Sequence, residues 1–352
     1  MKSPLRPASL LVIGLLALAA CQPSASASPG ASDEPTSGAP SGGSLSGDVQ
    51  ISGSSTVEPI SSLVFEAFVA LHQEVTGFVD GPGTGDGMAL FCADEIDIAD
   101  ASREISESEM ADCEAAGVEW VELKIGIDGM AVITSSDNAA VDCLSFLDLY
   151  ALLGPESQGF DTWDAADDLA AHLDAELGSE FGESHAPYPT DDLIVTAPGD
   201  ESGTYDSFVE LAISGIADER EQERTTRLDY TPQDEDPAII EGVAGTADAA
   251  GTLGWVGFAF ADQNRDRVSL LAVDQGDGCI NATPDTIASA EYPLSRFLYL
   301  YVNLGRAESN PTVGAFVDFY LSDDGFAKVT EADYIALPEA DIEATRAAWD
   351  GR

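Results

Sequence analysis

The sequence predicts an α/β protein whose strands are buried between helices. From Val49 onward short β-rich runs alternate with helical runs. A strand, a turn and a helix follow one another after Val49, and the same plan returns after Leu193. The 352 residues are 44% hydrophobic, enough for two ordinary domains, yet past the N-terminal region no second low-complexity linker separates them. Two lobes joined by crossing connections fit these facts better than domains in series, and no repeat of fixed period is present.

Lys2 and Arg6 precede an apolar run from Leu10 to Ala20, too short to span as a helix and shaped like a secretory signal. Its end, Leu18-Ala19-Ala20-Cys21, resembles the bacterial lipobox, which implies cleavage before Cys21 and acylation of its thiol. Residues 22 to 47 are almost entirely Ser, Gly, Pro and Ala; they cannot bury a core and are expected to form a tether reaching about 30 Å.

In the body, Val49 to Gly53 reads as a strand. Val57, Ile60, Val64, Phe68 and Leu71 then share one helical face. Ser106 and Glu109 form a capping-box pair, with Ile105 and Met110 as its staple and Gly117 as the stop. Val118 to Ile133 reads as extended chain broken at Asp128-Gly129. Leu193 to Ala197 is a further strand, followed by a turn and a helical run through Phe208, Leu211 and Ala212.

Charge excludes whole classes of function. Fourteen Lys and Arg face 64 Asp and Glu, a formal net charge of −50, so a field that gathers nucleic acid or anionic lipid is ruled out. The acids are spread over both halves as a solvated surface, and solubility in concentrated salt is the simplest physical motive, which points to a halophilic source. Membrane attachment then needs a lipid.

Beyond Cys21 the chain holds Cys92, Cys113, Cys143 and Cys279, an even number in an exported chain, so two disulfides are expected. Of three connectivities we prefer Cys92 to Cys113, a short local loop, which leaves Cys143 to Cys279. Zinc is the rival reading, but no C-x-x-C spacing exists and His72, His172 and His185 lie far from the cysteines in sequence. No metal or cofactor is expected.

Three segments combine hydroxyls with unhindered backbone N–H groups at predicted helix starts: Gly53-Ser54-Ser55-Thr56, Gly81 to Gly87 with Thr84 inside it, and Ser202-Gly203-Thr204. Such places bind oxyanions, because the first N–H groups of a helix lack partners and the dipole there is positive. Taken singly, Ser55 and Ser202 are more simply caps of their own helices; three such segments favour a site. Neither G-x-G-x-x-G nor a P-loop is present, which disfavours a nucleotide enzyme. Ser102 and Arg103 form a fourth candidate. Arg103 is the only Lys or Arg between Arg6 and Lys124, and its guanidinium suits a tetrahedral oxyanion, with an ion pair to Glu104 or a neighbouring acid as the competing reading.

In order along the chain, Ile51 to Ile60, Phe91 to Arg103, Asp128 to Val132, Asp200 to Asp206 and Gly254 to Phe260 resemble the substrate-binding protein of bacterial high-affinity phosphate ABC transporters. The resemblance runs from about Val49 to about Val302. It implies a hinged, two-lobed periplasmic-binding-protein fold of the second type, each lobe a mixed sheet flanked by helices. Crossings are expected near Ile125 to Met130 and Ala272 to Gly278, giving lobes 48–128 with 276–352, and 129–275. It further implies inorganic phosphate and a transporter permease as partners. Thr56, Thr84, Ser202, Gly203 and Thr204 then become phosphate donors, beside Ser55, Ser102 and Arg103. The best-studied branch carries an Asp and an Arg where this chain has Ser102 and Pro198. Asp128, with Asp100 second, is the expected acceptor of the proton on HPO4 2−, the contact that rejects fully ionised sulfate.

The alternatives are weaker. A serine hydrolase on Ser202 lacks the G-x-S-x-G elbow and an activating histidine motif, and a metal-dependent phosphatase suits a chain this poor in histidine badly. A binding protein for sulfate, molybdate or a phosphonate would share the hydroxyl-rich loops.

Overall fold

The computed structural model describes residues 45–200, 202–233, 235–245 and 251–352. The expected signal, Cys21 and most of the tether lie outside the described residues. Eleven strands are present among them: β1 Ser46–Gly53, β2 Glu74–Asp80, β3 Ile98–Ala101, β4 Trp120–Ser135, β5 Cys143–Ser145, β6 Ile194–Pro198, β7 Thr231–Gln233, β8 Thr252–Gly257, β9 Val268–Leu270, β10 Ala272–Asp274 and β11 Ser295–Asn303. Nine join in one mixed sheet of order β2-β1-β3-β11-β4-β8-β6-β7 with β9 also on β4, while β5 and β10 form a separate parallel pair.

The helices that matter for the site are α1 Glu58–Leu71, α2 Thr84–Cys92, α3 Glu107–Ala116, α4 Phe146–Leu153, α5 Asp167–Leu177, α6 Gly203–Phe208, α7 Ser214–Glu219 and α8 Asp236–Ala244. α1 buries Ile60, Val64 and Phe68, the stripe read from the sequence. α3 has the predicted capping box, Ser106 with Glu109, and ends on Gly117 at φ 76°, where a glycine carries no steric cost. β1 starts at Ser46, earlier than expected, because Ser46 and Gly47 already pair with Glu74 and Val75.

β4 organises the molecule. Its first part, Trp120 to Gly129, pairs antiparallel with β11, and from Met130 onward it pairs with β8 and β9. The expected break at Asp128-Gly129 is absent: the strand runs straight through and changes partner there. Gly129 is needed for packing instead of for a turn, since a Cβ there would stand 3.0 Å from the side chains of Ile287 and Ile335. β1, β2, β3 and β11 thus make one half-sheet with the start of β4, and β6 to β9 make the other with its end.

Both predicted disulfides are formed, Cys92–Cys113 and Cys143–Cys279. The second holds the turn after β10 against β5, and Ile280 still bridges to Val273, so the chain stays with the β5–β10 pair beyond residue 276.

Candidate anion-binding site

Three of the four segments singled out in the sequence meet at the ends of β1 and β3. Ser54 N donates to Asp100 O (2.9 Å), and Gly83 N donates to Gly53 O (2.7 Å). Gly83 sits at φ 118°, and a Cβ on Gly87 would lie 2.4 Å from Gly53 Cα, so glycine lets the start of α2 rest on the end of β1.

Two buried polar clusters result. In one, Thr84 Oγ1 lies 3.1 Å from Ser102 Oγ and accepts from Ser102 N at 3.2 Å. In the other, Thr56 N donates to Ser54 Oγ, and Thr56 Oγ1 lies 3.4 Å from Ser207 Oγ on α6, which joins the two halves of the molecule. Ser55 is partly exposed, and α1 has no side-chain cap, so the capping role considered for Ser55 is unfilled.

Arg296, on β11, ties the second cluster together. It donates from Nε to Asp128 Oδ2 (3.2 Å), and from Nη2 to Thr56 Oγ1 (3.1 Å) and Ser207 Oγ (3.3 Å). Its Nη1 pairs with Glu210 Oε2 at 2.7 Å. The strand register places Arg296 directly opposite Asp128, and both side chains are about nine-tenths buried. Burial opposes the guanidinium charge, but Asp128 and Glu210 outweigh it and hold the pKa above its ordinary value.

Arg103 has a different partner, although Glu210 also lies within its electrostatic reach. Its Nη1 and Nη2 each donate to Glu109 at 2.8 Å, and Nη1 also reaches Glu104 O. That fork holds the Glu109 carboxyl down at about 2, and Arg103 is 42% exposed. The guanidinium expected to face the anion is therefore engaged by Glu109 of the α3 capping box, and the largely buried guanidinium beside Thr56 is that of Arg296.

From the other half, Ser202 caps α6, its Oγ accepting from Thr204 N at 3.2 Å, which leaves its own O–H to donate. α6 continues through a π-helical turn, Val209–Ile213, into α7. Phe208, stacked on Trp255 at 4.2 Å between ring centroids, anchors this start against β8.

A cavity of about 710 Å³ opens here, lined among others by Pro59, Asp128, Ser202, Gly203, Thr204 and Tyr334. Its other side is acidic, with Glu235, Asp236 and Asp333. Burial, Asp333 and Glu235 push the Asp236 carboxyl up to about 6. The N–H and hydroxyl donors of the cavity lie at its Ser202–Thr204 end, and Arg296 stands behind Asp128, outside the lining.

Asp100 is wholly buried away from this lining. Burial pushes its carboxyl up to about 7, with the Ser61 hydroxyl opposing the shift and Glu58 adding to it. The three histidines lie away from Ser202. His72 packs on Phe68, His172 pairs with Glu176, and His185 bonds Asp148.

A sheet split between two halves along one shared strand, with loops from both halves meeting at a polar cavity, defines a two-lobed substrate-binding protein. Residues 34–324 match the model of the PBP superfamily domain, and the chain belongs to that superfamily. It is 32% identical to "Protein SphX" of a Synechocystis strain, over 83% of this chain and 79% of that protein. It is 28% identical to "Phosphate-binding protein PstS" of Staphylococcus aureus, over 84% of this chain and 80% of that one. Among solved structures, a "possible phosphate binding protein" from Planctomyces limnophilus superposes with a TM-score of 0.76 at 32% identity, covering 88% of this chain and 99% of the other.

Proposed function

We propose that the protein captures inorganic phosphate outside the cytoplasm and delivers it to the permease of an ABC transporter, its two lobes closing on the anion. The observation that carries this reading is the Arg296–Asp128 pair beside the Ser202-Gly203-Thr204 helix start. It sets a largely buried cation behind one carboxylate acceptor, Asp128, at the edge of a cavity whose Ser202–Thr204 end offers N–H and hydroxyl donors. A dianion that still carries a proton can satisfy both: its charged oxygens take the donors and its O–H gives a hydrogen bond to Asp128. Fully ionised sulfate would set acceptor against acceptor there. The curated relatives named for phosphate binding support the same anion.

Thr56, Thr84, Ser102, Ser202, Gly203 and Thr204 act as donors in this reading, and Arg103 acts by holding the loop after β3 against α3. The lobes meet at the partner change in β4, which supports the expected first crossing. The pairing of β10 with β5 and the Cys143–Cys279 bond favour a second crossing between Ile280 and Ser295, later than residues 272 to 278. No helix among the described residues is long and apolar enough to cross a membrane, and we assign attachment to a lipid on Cys21.

Binding without catalysis fits the positions of the histidines, since Ser202 has no imidazole beside it among the described residues. Isothermal titration of one refolded sample with phosphate, sulfate and a phosphonate tests the proposal. Phosphate at micromolar affinity or tighter, about 8 kcal/mol, is expected. Equal affinity for sulfate would overturn it.

A further inference from the structure

The Cys143–Cys279 corner holds chemistry that anion capture does not use. His185 is 94 residues from Cys279 in sequence, yet its Nε2 lies 3.7 Å from Cys279 Sγ. The two sulfurs and one imidazole nitrogen all lie within 4.8 Å of one another. A tetrahedral zinc ion needs ligand separations of roughly 3.5 to 3.8 Å, so little rearrangement separates this trio from a ligand set.

The histidine is already oriented. Its Nδ1 is 2.6 Å from Asp148 Oδ2, and Asp148 is buried at the start of α4, where it also accepts from Ser145 N, Ser145 Oγ, His185 N and the Tyr188 hydroxyl. An ionised carboxylate only accepts, so Nδ1 carries a proton and Nε2 is the ring nitrogen that faces the sulfurs. A buried carboxylate behind the imidazole is the arrangement that fixes metal-binding histidines. Cys279 and His185 are solvent-accessible, which gives an ion a way in. At Cys92–Cys113, by contrast, the contact at sulfur is Cys92 Sγ to Glu109 O, and no imidazole stands beside the bond among the described residues.

We propose that reduction of the Cys143–Cys279 disulfide exposes a zinc site made of Cys143 Sγ, Cys279 Sγ and His185 Nε2, with water in the fourth position. An exported dithiol reductant supplies two electrons and two protons, becoming a disulfide itself and leaving two protein thiols. Zn2+ then displaces both thiol protons. A disulfide-class oxidant reverses the sequence and releases the ion.

The test uses the full chain, reduced and then freed of reductant. One equivalent of Co2+ should give thiolate-to-metal charge-transfer absorption, and Zn2+ should displace it. Compared with the metal-free reduced chain, Zn2+ should also slow alkylation of Cys143 and Cys279 and leave the rates at the buried Cys92 and Cys113 unchanged, as mapped by mass. His185→Ala should lower Co2+ affinity at least about tenfold, the lower end for disturbed metal sites. No charge-transfer band, equal protection of all four cysteines, or an unchanged affinity in His185→Ala would overturn the proposal. So would loss of the folded circular dichroism on reduction that Zn2+ fails to restore.

Discussion

On the first half-sheet the candidate site is built from buried side chains: Thr56 and Thr84 in the loops after β1 and β2, Ser102 after β3, and the facing pair Asp128 and Arg296 on β4 and β11. On the second it is built from the start of one helix, where Ser202 caps α6 and the backbone of Gly203 and Thr204 faces the cavity. One wall therefore carries the largely buried cation, fixed by strand register, and the other carries the N–H and hydroxyl donors of a helix start. A charge held between two paired strands cannot shift without disturbing the sheet, whereas a helix start can approach and retreat as a unit. The first wall should accordingly set affinity and selectivity, and the second should complete the enclosure.

Removing Arg296 breaks that asymmetry most severely. Arg296→Ala leaves Asp128 buried without its partner, which costs about 3 to 5 kcal/mol of folding stability, and removes the cation of the first wall, so titration of the folded protein should find phosphate binding weakened about 100-fold. Arg296→Lys keeps the charge but loses the fork and should fall between. A small loss in Arg296→Ala would move the binding energy to the second wall.

Asp100, behind the first wall, should make that half sensitive to pH. Its folded pKa of about 7 lies above the ordinary 3.8. Above 3.8 the unfolded chain ionises while the folded chain still holds the proton, so this group's contribution is fully present at low pH and is lost as pH rises towards 7. Denaturant midpoints of wild type should fall through that window relative to Asp100→Asn. Parallel curves would contradict the assignment.

The second wall should respond more mildly. Ser202→Ala removes a cap, worth about 1 kcal/mol, and one donor, so phosphate should weaken several-fold to tenfold by titration. The smallest effect belongs to Arg103→Ala. Its pair with Glu109 is partly exposed, and the change should cost under about 1 kcal/mol in binding. A loss as large as that of Arg296→Ala would place Arg103 at the anion after all.

The loops were legible because glycine, hydroxyl and helix-start signals are local. The capping box at Ser106 and the stripe along α1 were legible for the same reason. Arg296 was missed, although the argument applied to Arg103 reaches it: it is the only base between Arg267 and Arg306, within an apolar strand. What the sequence could not supply was its position opposite Asp128, which depends on the pairing of two strands 168 residues apart. The same limit hid His185 from the cysteines and made Asp128-Gly129 read as a break. A glycine required by close packing looks, in sequence alone, like a glycine required by a turn.

The most direct test of local donors against the global field is the salt dependence of the association rate. A chain of net charge −50 must repel a dianion at long range, but beyond about 10 Å that repulsion is screened at ordinary ionic strength. In the proposed site, hydrogen bonds from Thr56, Thr84, Ser202, Gly203 and Thr204, and the charge of Arg296, would act at contact, at about 1.5 to 3 kcal/mol for each bond to a charged group. Stopped-flow mixing with phosphate should therefore show association that speeds up as salt is added. Association that slows with salt would mean an attractive field steers the anion, and would contradict a site built from buried local donors within a repelling surface.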